Sequence, residues 1–340
     1  MKERQAGIDL VRCTGLLFVV GVHSFLKNGF YFEPQTGMLM WLADSARWLF
    51  FCCNGIFMML TGYLKSKSRF GPGYYRGLWA VLLGYVMTCI VSFPVRHFWL
   101  GEPNSLTGWV EKMLKFDNYG WYVEMYIGLI LISPLINPAL ERAESRQLLL
   151  LSGTMMLLTA LPGLTAWPIL PDYWTGLYPL TYYVLGAAVR KWQPKLPFWL
   201  GILLTAALAL AMGAASVFST DEGFSNGFTQ GYGGLWTTVL TVLVFVTLYR
   251  LQPGKRISAA LAWMAGGVFE GYILSRLLDV WVYEKVSFWH SPEYYPLVFL
   301  CVTIPVFFTA LLMGKLVHWP VDHLMRSIKK KQKRQATTAK

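Results

Sequence analysis

An arginine and a histidine stand eleven residues apart in the first apolar segment of the chain, at Arg12 and His23. On an α-helix this separation places them about 16 Å apart along the axis and about 20° apart around it. One helix face would therefore carry a cation near one end and an imidazole, a possible general base, near the other. Charged groups inside membrane helices usually face a partner, a cavity or a pathway. The simpler alternatives are that Arg12 snorkels as an anchor and that His23 hydrogen-bonds a neighbouring helix.

The composition indicates a protein that crosses a membrane many times. Of its 340 residues, 55% are hydrophobic and 14% are charged, whereas soluble domains carry about 25% charged residues. The net charge of +12 is explained by Lys and Arg in cytoplasmic loops, so no nucleic acid partner is expected. The five cysteines lie in apolar segments without a CxxC spacing, so neither disulfides nor a metal site are expected.

Ten stretches are long and apolar enough to cross about 30 Å of hydrocarbon. They lie near residues 7–26, 42–64, 77–99, 119–139, 147–167, 175–190, 197–218, 232–250, 257–281 and 295–317. Lys and Arg concentrate in alternate connections, while the opposite loops, the longest of them near 100–118 and 219–231, carry mainly Asp and Glu. This asymmetry predicts an all-α protein with about ten transmembrane helices and both termini in the cytoplasm. Residues 321–340 are expected to form a basic cytoplasmic tail that is solvated or binds lipid headgroups.

Further polar and charged side chains lie within the predicted spans. In the second span, Arg47 either snorkels or faces a carboxylate as its counter-charge, and Asn54 either packs against another helix or belongs to a site. In the fourth span, Glu124 follows Trp121 and Tyr122 near the outer end. An isolated carboxylate at this depth needs a partner, and Arg47 or His23 is expected to provide it.

The ninth predicted span contains three charged side chains. Arg276 and Asp279 are three residues apart and are expected to form a local ion pair. Glu270 lies near the middle of this span and is less easily explained by a structural role.

The cytoplasmic connection 65–76 combines basic and aromatic residues. It contains four cations and ends in Tyr74, Tyr75 and Arg76. It is either an ordinary inside loop or a site for a phosphorylated cytosolic ligand, with arginines on the phosphates and tyrosine rings against a base.

Four stretches together resemble the acyltransferase 3 family of bacterial membrane acyltransferases. They are the Ile-Asp-Leu-Val-Arg segment with His23 ten residues beyond Arg12, the Phe-rich span 51–64 with its Asn-Gly pair, the basic loop ending at Arg76, and the span 121–135. The sequence departs from the family pattern at Ser275, where many members have a histidine. The resemblance assigns residues 1–320 to an acyltransferase 3-like domain.

The resemblance implies transfer of an acyl group, usually acetyl, from cytosolic acyl-CoA to a hydroxyl of an extracytoplasmic or lipid-linked cell-envelope glycan. The protein would lie in the bacterial cytoplasmic membrane and would need no metal. The residues expected to take part are His23 and Glu124 in catalysis, Arg12, Arg69, Tyr75 and Arg76 in donor binding, and Arg47, Asn54, Trp121, Tyr122, Glu270 and Arg276 in acceptor binding or support.

Two other functional classes are compatible with the same residues. A transporter or flippase for a sugar-lipid or polyanionic substrate would also use intramembrane charges such as Arg47, Glu124 and Glu270. A sensor-like membrane domain without chemistry is a third possibility. The Arg12–His23 face and the basic loop favour the enzyme, because a flippase requires neither.

The predicted topology can be tested by cysteine-accessibility labelling. A single reporter cysteine at position 104 should react only with reagent added from outside, and one at position 66 only with reagent added from inside, because Lys and Arg mark the cytoplasmic loops. The opposite result at either position would overturn the predicted orientation.

Overall fold

Fourteen α-helices and several short 3₁₀ or π turns make up the regular structure of residues 4–71, 74–103, 105–117, 120–164, 169–219, 231–286 and 292–338, which the computed structural model describes. The α-helices are α1 Ala6–Lys27, α2 Gly37–Phe51, α3 Cys53–Lys65, α4 Arg76–Phe98, α5 Leu106–Leu114, α6 Trp121–Arg142, α7 Ser145–Leu164, α8 Tyr178–Trp192, α9 Phe198–Ser219, α10 Leu235–Leu248, α11 Lys255–Ala265, α12 Val268–Val286, α13 Tyr295–Val298 and α14 Ile304–Thr338. Within these residues there is no strand, so the predicted all-α class is confirmed.

Six helical segments within the described residues are long and apolar enough to cross a membrane. They are Ala6–Lys27, Gly37–Lys65, Gly77–Phe98, Trp121–Arg142, Phe198–Val217 and Tyr295–Met325. The bent pair formed by α11 and α12 makes a seventh if it is counted as one span. A multi-pass membrane protein is therefore supported, and the count of ten stays a prediction.

The predicted span 257–281 is interrupted in the structure. Its two helices, α11 and α12, meet at an angle of 66° around Gly266 and Gly267. Glycine is a poor helix former, and a side chain on Gly267 would collide with the backbone of α14 at Leu311 and Lys315. As a result Glu270 lies in the first turn of α12 and not in the middle of a continuous span.

Two connections are more helical than the sequence analysis expected. The outer connection near 100–118 contains α5, whose start is capped by Ser105 as its hydroxyl accepts from the Gly108 amide. The last helix continues through the predicted tail, because α14 extends to Thr338 and leaves His318 on a membrane helix. The connection near 219–231 lies almost entirely outside the described residues.

The first helix, α1, lies inside the bundle and touches α2, α3, α10, α11, α12 and α14. Its neighbours approach closely where it carries glycine: the ring of Phe57 covers Gly15 and the ring of Phe50 covers Gly21. The two contacts show that α1 runs antiparallel to the segment formed by α2 and α3. Helix α1 is therefore held in a fixed register against its neighbours.

A second close contact joins α3 to α8. A side chain on Gly62 would collide with the Tyr183 backbone, and one on Gly186 would collide with the Met59 backbone. Small residues at a helix crossing allow backbones to approach each other closely in a membrane. This crossing brings the ends of α3 and α8 together at the side of the bundle where α1 begins.

Candidate active site

The imidazole of His23 and the carboxylate of Asp279 meet where α1 and α12 pack side by side. The His23 Nδ1 atom lies 2.8 Å from Asp279 Oδ2, and the Asp279 side chain is fully buried. Leu16, two turns earlier on α1, lies beside Gly271 on α12, so the two helices run in the same direction. A carboxylate buried among membrane helices requires a polar or cationic partner, and His23 supplies one.

This contact determines which nitrogen of the histidine could do chemistry. When the ring nitrogen facing a carboxylate carries the proton, the other ring nitrogen keeps a lone pair and can accept a proton. Here Nδ1 faces Asp279, so Nε2 of His23 is the candidate proton acceptor. A histidine oriented by a buried carboxylate is a common form of general base.

The carboxylate beside His23 differs from the one that the sequence analysis expected. Glu124 lies exposed on the first turn of α6, and Asp279 takes the place beside His23. The sequence analysis also expected Asp279 to pair locally with Arg276. In the structure Asp279 contacts His23, and the Arg276 guanidinium donates to the backbone carbonyl of Asp117. The register between α1 and α12, which no local pattern reports, causes both differences.

The N-terminal end of the same α1 face opens into a basic cleft of about 590 Å³. Its cations are Arg4, Arg12, Lys67 and Arg190, and its one carboxylate is Asp9. Asp9 is buried and accepts hydrogen bonds from Arg12 at 2.8 Å and from Arg4. The hydrogen bond to Asp9 raises the pKa of Arg4 above its usual value. The cleft is therefore cationic at physiological pH and suited to phosphate groups.

The position of Arg190 in this cleft is set by the end of α3. Its Nη1 atom donates to the carbonyls of Tyr63 and Leu64, at 2.6 and 2.9 Å. A helix C-terminus leaves carbonyls without helical partners and favours a cation. The close crossing of α3 and α8 thus places the guanidinium of Arg190 at the cleft.

A second cavity of about 230 Å³ continues from the cleft into the bundle. Arg12 and Leu64 line both spaces. The cavity passes aromatic and aliphatic side chains and reaches Val19 and Asn54. Val19 precedes His23 by four residues, which on a helix is one turn along the same face. The cleft, the cavity and His23 therefore follow one face of α1 in sequence.

Two aromatic residues predicted for the site lie at or near this cavity. Tyr122 lines it and contacts Tyr272 edge to face, with ring centroids 5.7 Å apart. Trp121 stacks on Tyr232 at 6.2 Å, and Tyr232 stacks on Phe51 at 4.2 Å.

Arg47 is buried against aromatic rings. Its guanidinium carbon lies 4.3 Å from the Trp48 ring centroid and 4.2 Å from that of Phe51. Its Nε donates to the hydroxyl of Tyr31 at 3.1 Å. Stacking of this kind stabilises a buried cation. Arg47 therefore does not snorkel, and the carboxylate with which it interacts electrostatically is the buried Asp44 of its own helix.

The predicted donor-binding residues of the loop 65–76 are dispersed. Arg69 has a side chain that is 83% exposed, lies 3.5 Å from Glu141, and lines a different cleft from Arg12. Tyr75 contacts Tyr74 edge to face. The side chain of Arg76 lies outside the described residues. The structure thus brings Lys67 of this loop to the basic cleft, where Arg69 was expected.

Glu270 belongs to a separate contact at the start of α12. Its Oε1 lies 2.9 Å from Nδ1 of His318 on α14. Ser275, at the position where many family members carry histidine, is buried and donates to the backbone carbonyl of Tyr272. Neither residue itself lines the cavity that contains Arg12. Among the described residues no group of three His, Cys, Asp or Glu could hold a metal ion.

Sequence reasoning missed two residues that complete this arrangement. Asp279 was interpreted as half of a local pair, and Arg190, the last residue of the predicted span 175–190, was not singled out. A signal for Arg190 was present, because a cation in the last turn of a short polar span can reach a neighbouring helix end. For Asp279 the sequence holds no comparable signal, since its partner lies on a helix distant in the chain.

The contact between His23 and Asp279 predicts coupled effects on stability. Replacing either residue with alanine leaves the other buried without its partner, so each single change should lower the thermal unfolding midpoint of the purified protein. The double replacement should lower the free energy of unfolding by less than the sum of the two single replacements, with a coupling free energy of about 1–3 kcal/mol. Additive effects of the two single changes would show that the two side chains do not interact.

Comparison with known proteins identifies the family of the chain. Residues 5–315 match the acyltransferase domain that defines the acyltransferase 3 family. A search of curated proteins and a search of solved structures each returned no match. Because the match spans nearly the whole chain and includes the face from Arg12 to His23, this membrane protein belongs to the acyltransferase 3 family.

Proposed function

We propose that the protein transfers an acyl group, most simply acetyl, from cytosolic acyl-CoA to a hydroxyl of an extracytoplasmic or lipid-linked cell-envelope glycan. The observation that carries this proposal is the continuous α1 face, with a basic cleft and cavity at Arg12 and an oriented imidazole at His23. The face joins a phosphate-binding surface to a general base, which are the two groups that such a transfer needs.

The charge of the loops supports the orientation that this reaction requires. Ten crossings with both termini inside would put the Arg12 cleft at the cytoplasm, where acyl-CoA is found, in the cytoplasmic membrane of a bacterium. His23 would then lie toward the outer side, where a glycan acceptor or a lipid-linked sugar is reached. The bilayer, acyl-CoA and that acceptor are the partners we propose.

The donor would bind with its phosphates in the cleft and its pantetheine arm in the cavity. The cleft cations Arg4, Arg12, Lys67 and Arg190 would hold the phosphates. The largely apolar cavity lining would exclude water from the thioester. The thioester would then lie one turn of α1 inward from His23.

In the proposed acyl transfer, each reacting group has one role. The acceptor hydroxyl oxygen attacks the thioester carbonyl carbon while Nε2 of His23 takes the hydroxyl proton. The carbonyl reforms as the carbon–sulfur bond breaks, and the departing thiolate takes the proton back from His23. Asp279 keeps the imidazole in position and stabilises its charged form. The products are the acyl ester and free CoA.

The transporter alternative has less support. A substrate pathway would gather the intramembrane charges, yet none of Arg47, Glu124, Glu270 and Arg276 lines the cavity that contains Arg12.

Replacing His23 tests the general base directly. His23→Gln keeps hydrogen bonding but removes basicity, so acyl transfer should fall about 10²–10⁴-fold. The measurement is transfer of labelled acetyl from acetyl-CoA by the purified protein in lipid vesicles, with envelope glycan as acceptor. His23→Ala should be equally inactive and should bind donor as the parent does. Full activity of the His23→Gln protein would exclude the general-base role and favour a transporter.

The loop 65–76 offers a matched pair of charge removals for the donor site. Lys67→Ala removes a cation of the cleft and should weaken acyl-CoA binding roughly tenfold, as loss of a charged phosphate contact does. Arg69→Ala removes the same charge two residues away, outside the cleft, and should leave binding unchanged. Titration calorimetry at fixed salt compares the two. Equal weakening in both variants would mean that the loop acts only through its overall charge.

A further inference from the structure

Asn54 has a buried side-chain amide in the lining of the cavity, and packing of the fold does not explain it. It is the second residue of α3, directly after the break at Cys52, and it is 3% exposed. It lines the cavity that begins at Arg12, and its Nδ2 atom has no hydrogen-bond acceptor among the described residues. The hydroxyl of Tyr232 lies within hydrogen-bonding reach of this side chain, but not in a geometry that satisfies Nδ2. Buried amide hydrogens are nearly always well bonded, so a poorly bonded one in the lining of a cavity calls for an explanation.

Structural roles do not account for this side chain. No side chain caps the start of α3, so Asn54 is not a helix cap. Close packing at this point is provided by the next residue, Gly55, where any side chain would collide with Tyr182 and Thr241. The amide of Asn54 is therefore a candidate hydrogen-bond donor to a ligand in the cavity.

The helix directions bring Asn54 toward His23. The contacts of Gly15 with Phe57 and of Gly21 with Phe50 place Asn54 level with residue 18 of α1. His23 lies five residues further out, about 7–8 Å along the axis. Helical side chains tilt toward their own N-terminus, and α1 and α3 are antiparallel. His23 therefore tilts inward and Asn54 tilts outward, which makes the axial separation of the two side chains shorter than that of their backbones.

We propose that Asn54 binds the thioester carbonyl oxygen of the donor through Nδ2 and stabilises the negative charge that develops there. This inference rests on the proposed function. When the acceptor oxygen bonds to the carbonyl carbon, the carbonyl electron pair moves onto the oxygen, and the acceptor proton moves to Nε2 of His23. The pair returns as the carbon–sulfur bond breaks and the thiolate leaves with that proton. An amide donor fixed beforehand at the oxygen favours this intermediate over the ground state.

The test uses two donor analogues that differ in the carbonyl. In the first, a methylene replaces the thioester sulfur of acetyl-CoA, so the carbonyl is kept and cannot be transferred. The second is S-ethyl-CoA, which has no carbonyl. Asn54→Ala should weaken binding of the first about 3–10-fold, as expected for one hydrogen bond, and leave binding of S-ethyl-CoA unchanged. In the transfer assay kcat should fall about 10²–10³-fold with little change in the donor KM.

The matched control is Thr241→Val. Thr241 is fully buried next to Gly55 and donates to the Thr237 carbonyl of its own helix, but it does not line the cavity. This variant should bind both analogues as the parent does. Equal weakening of both analogues by Asn54→Ala, or no weakening of either, would overturn the role of Asn54 while leaving the proposed reaction in place. Failure of the parent protein to bind either analogue would overturn the acyl-CoA donor itself.

Discussion

The structure depends on neutralising one carboxylate, Asp279, that is fully buried among membrane helices. Such a group is costly in a medium of low dielectric constant unless a partner lies against it. His23 is that partner, and the contact fixes both the distance between α1 and α12 and the register of one along the other. The rest of the candidate site follows from that register, because the cleft, the cavity and the imidazole all lie along α1.

The fold was largely accessible from the sequence because membrane spans are defined by local properties. Length and hydropathy place the helices near their observed positions. Prediction from the sequence fails where contacts with a distant helix interrupt or extend a helix. Gly266 and Gly267 bend the ninth segment because α14 presses against Gly267, and α14 continues past the predicted end at residue 317 with His318 beside Glu270. In both cases a neighbouring helix that is distant in the chain decides the outcome.

The site was accessible only in part for the same reason. Arg12 and His23 share one helix face, and helical periodicity alone predicts that. The carboxylate beside His23 was not accessible in this way. Glu124, for which Arg47 or His23 was the expected partner, is exposed, and sequence spacing reports nothing on the register between two helices. Arg69 was included among the predicted donor-binding residues for a similar reason. A cationic loop can be recognised in a sequence, but the sequence does not show which of its side chains turns toward α1. Lys67 does so and Arg69 turns toward Glu141.

The carboxylate of Asp9 has a consequence for turnover. Acyl-CoA and free CoA carry the same phosphates, so a purely cationic cleft would retain the proposed product as firmly as the substrate. Asp9 is buried between Arg4 and Arg12 and cannot leave them. Any phosphate that binds these arginines therefore competes with a permanently tethered anion. Under the proposed function, this competition weakens the binding of acyl-CoA and of free CoA alike, and so favours release of CoA over its tight retention.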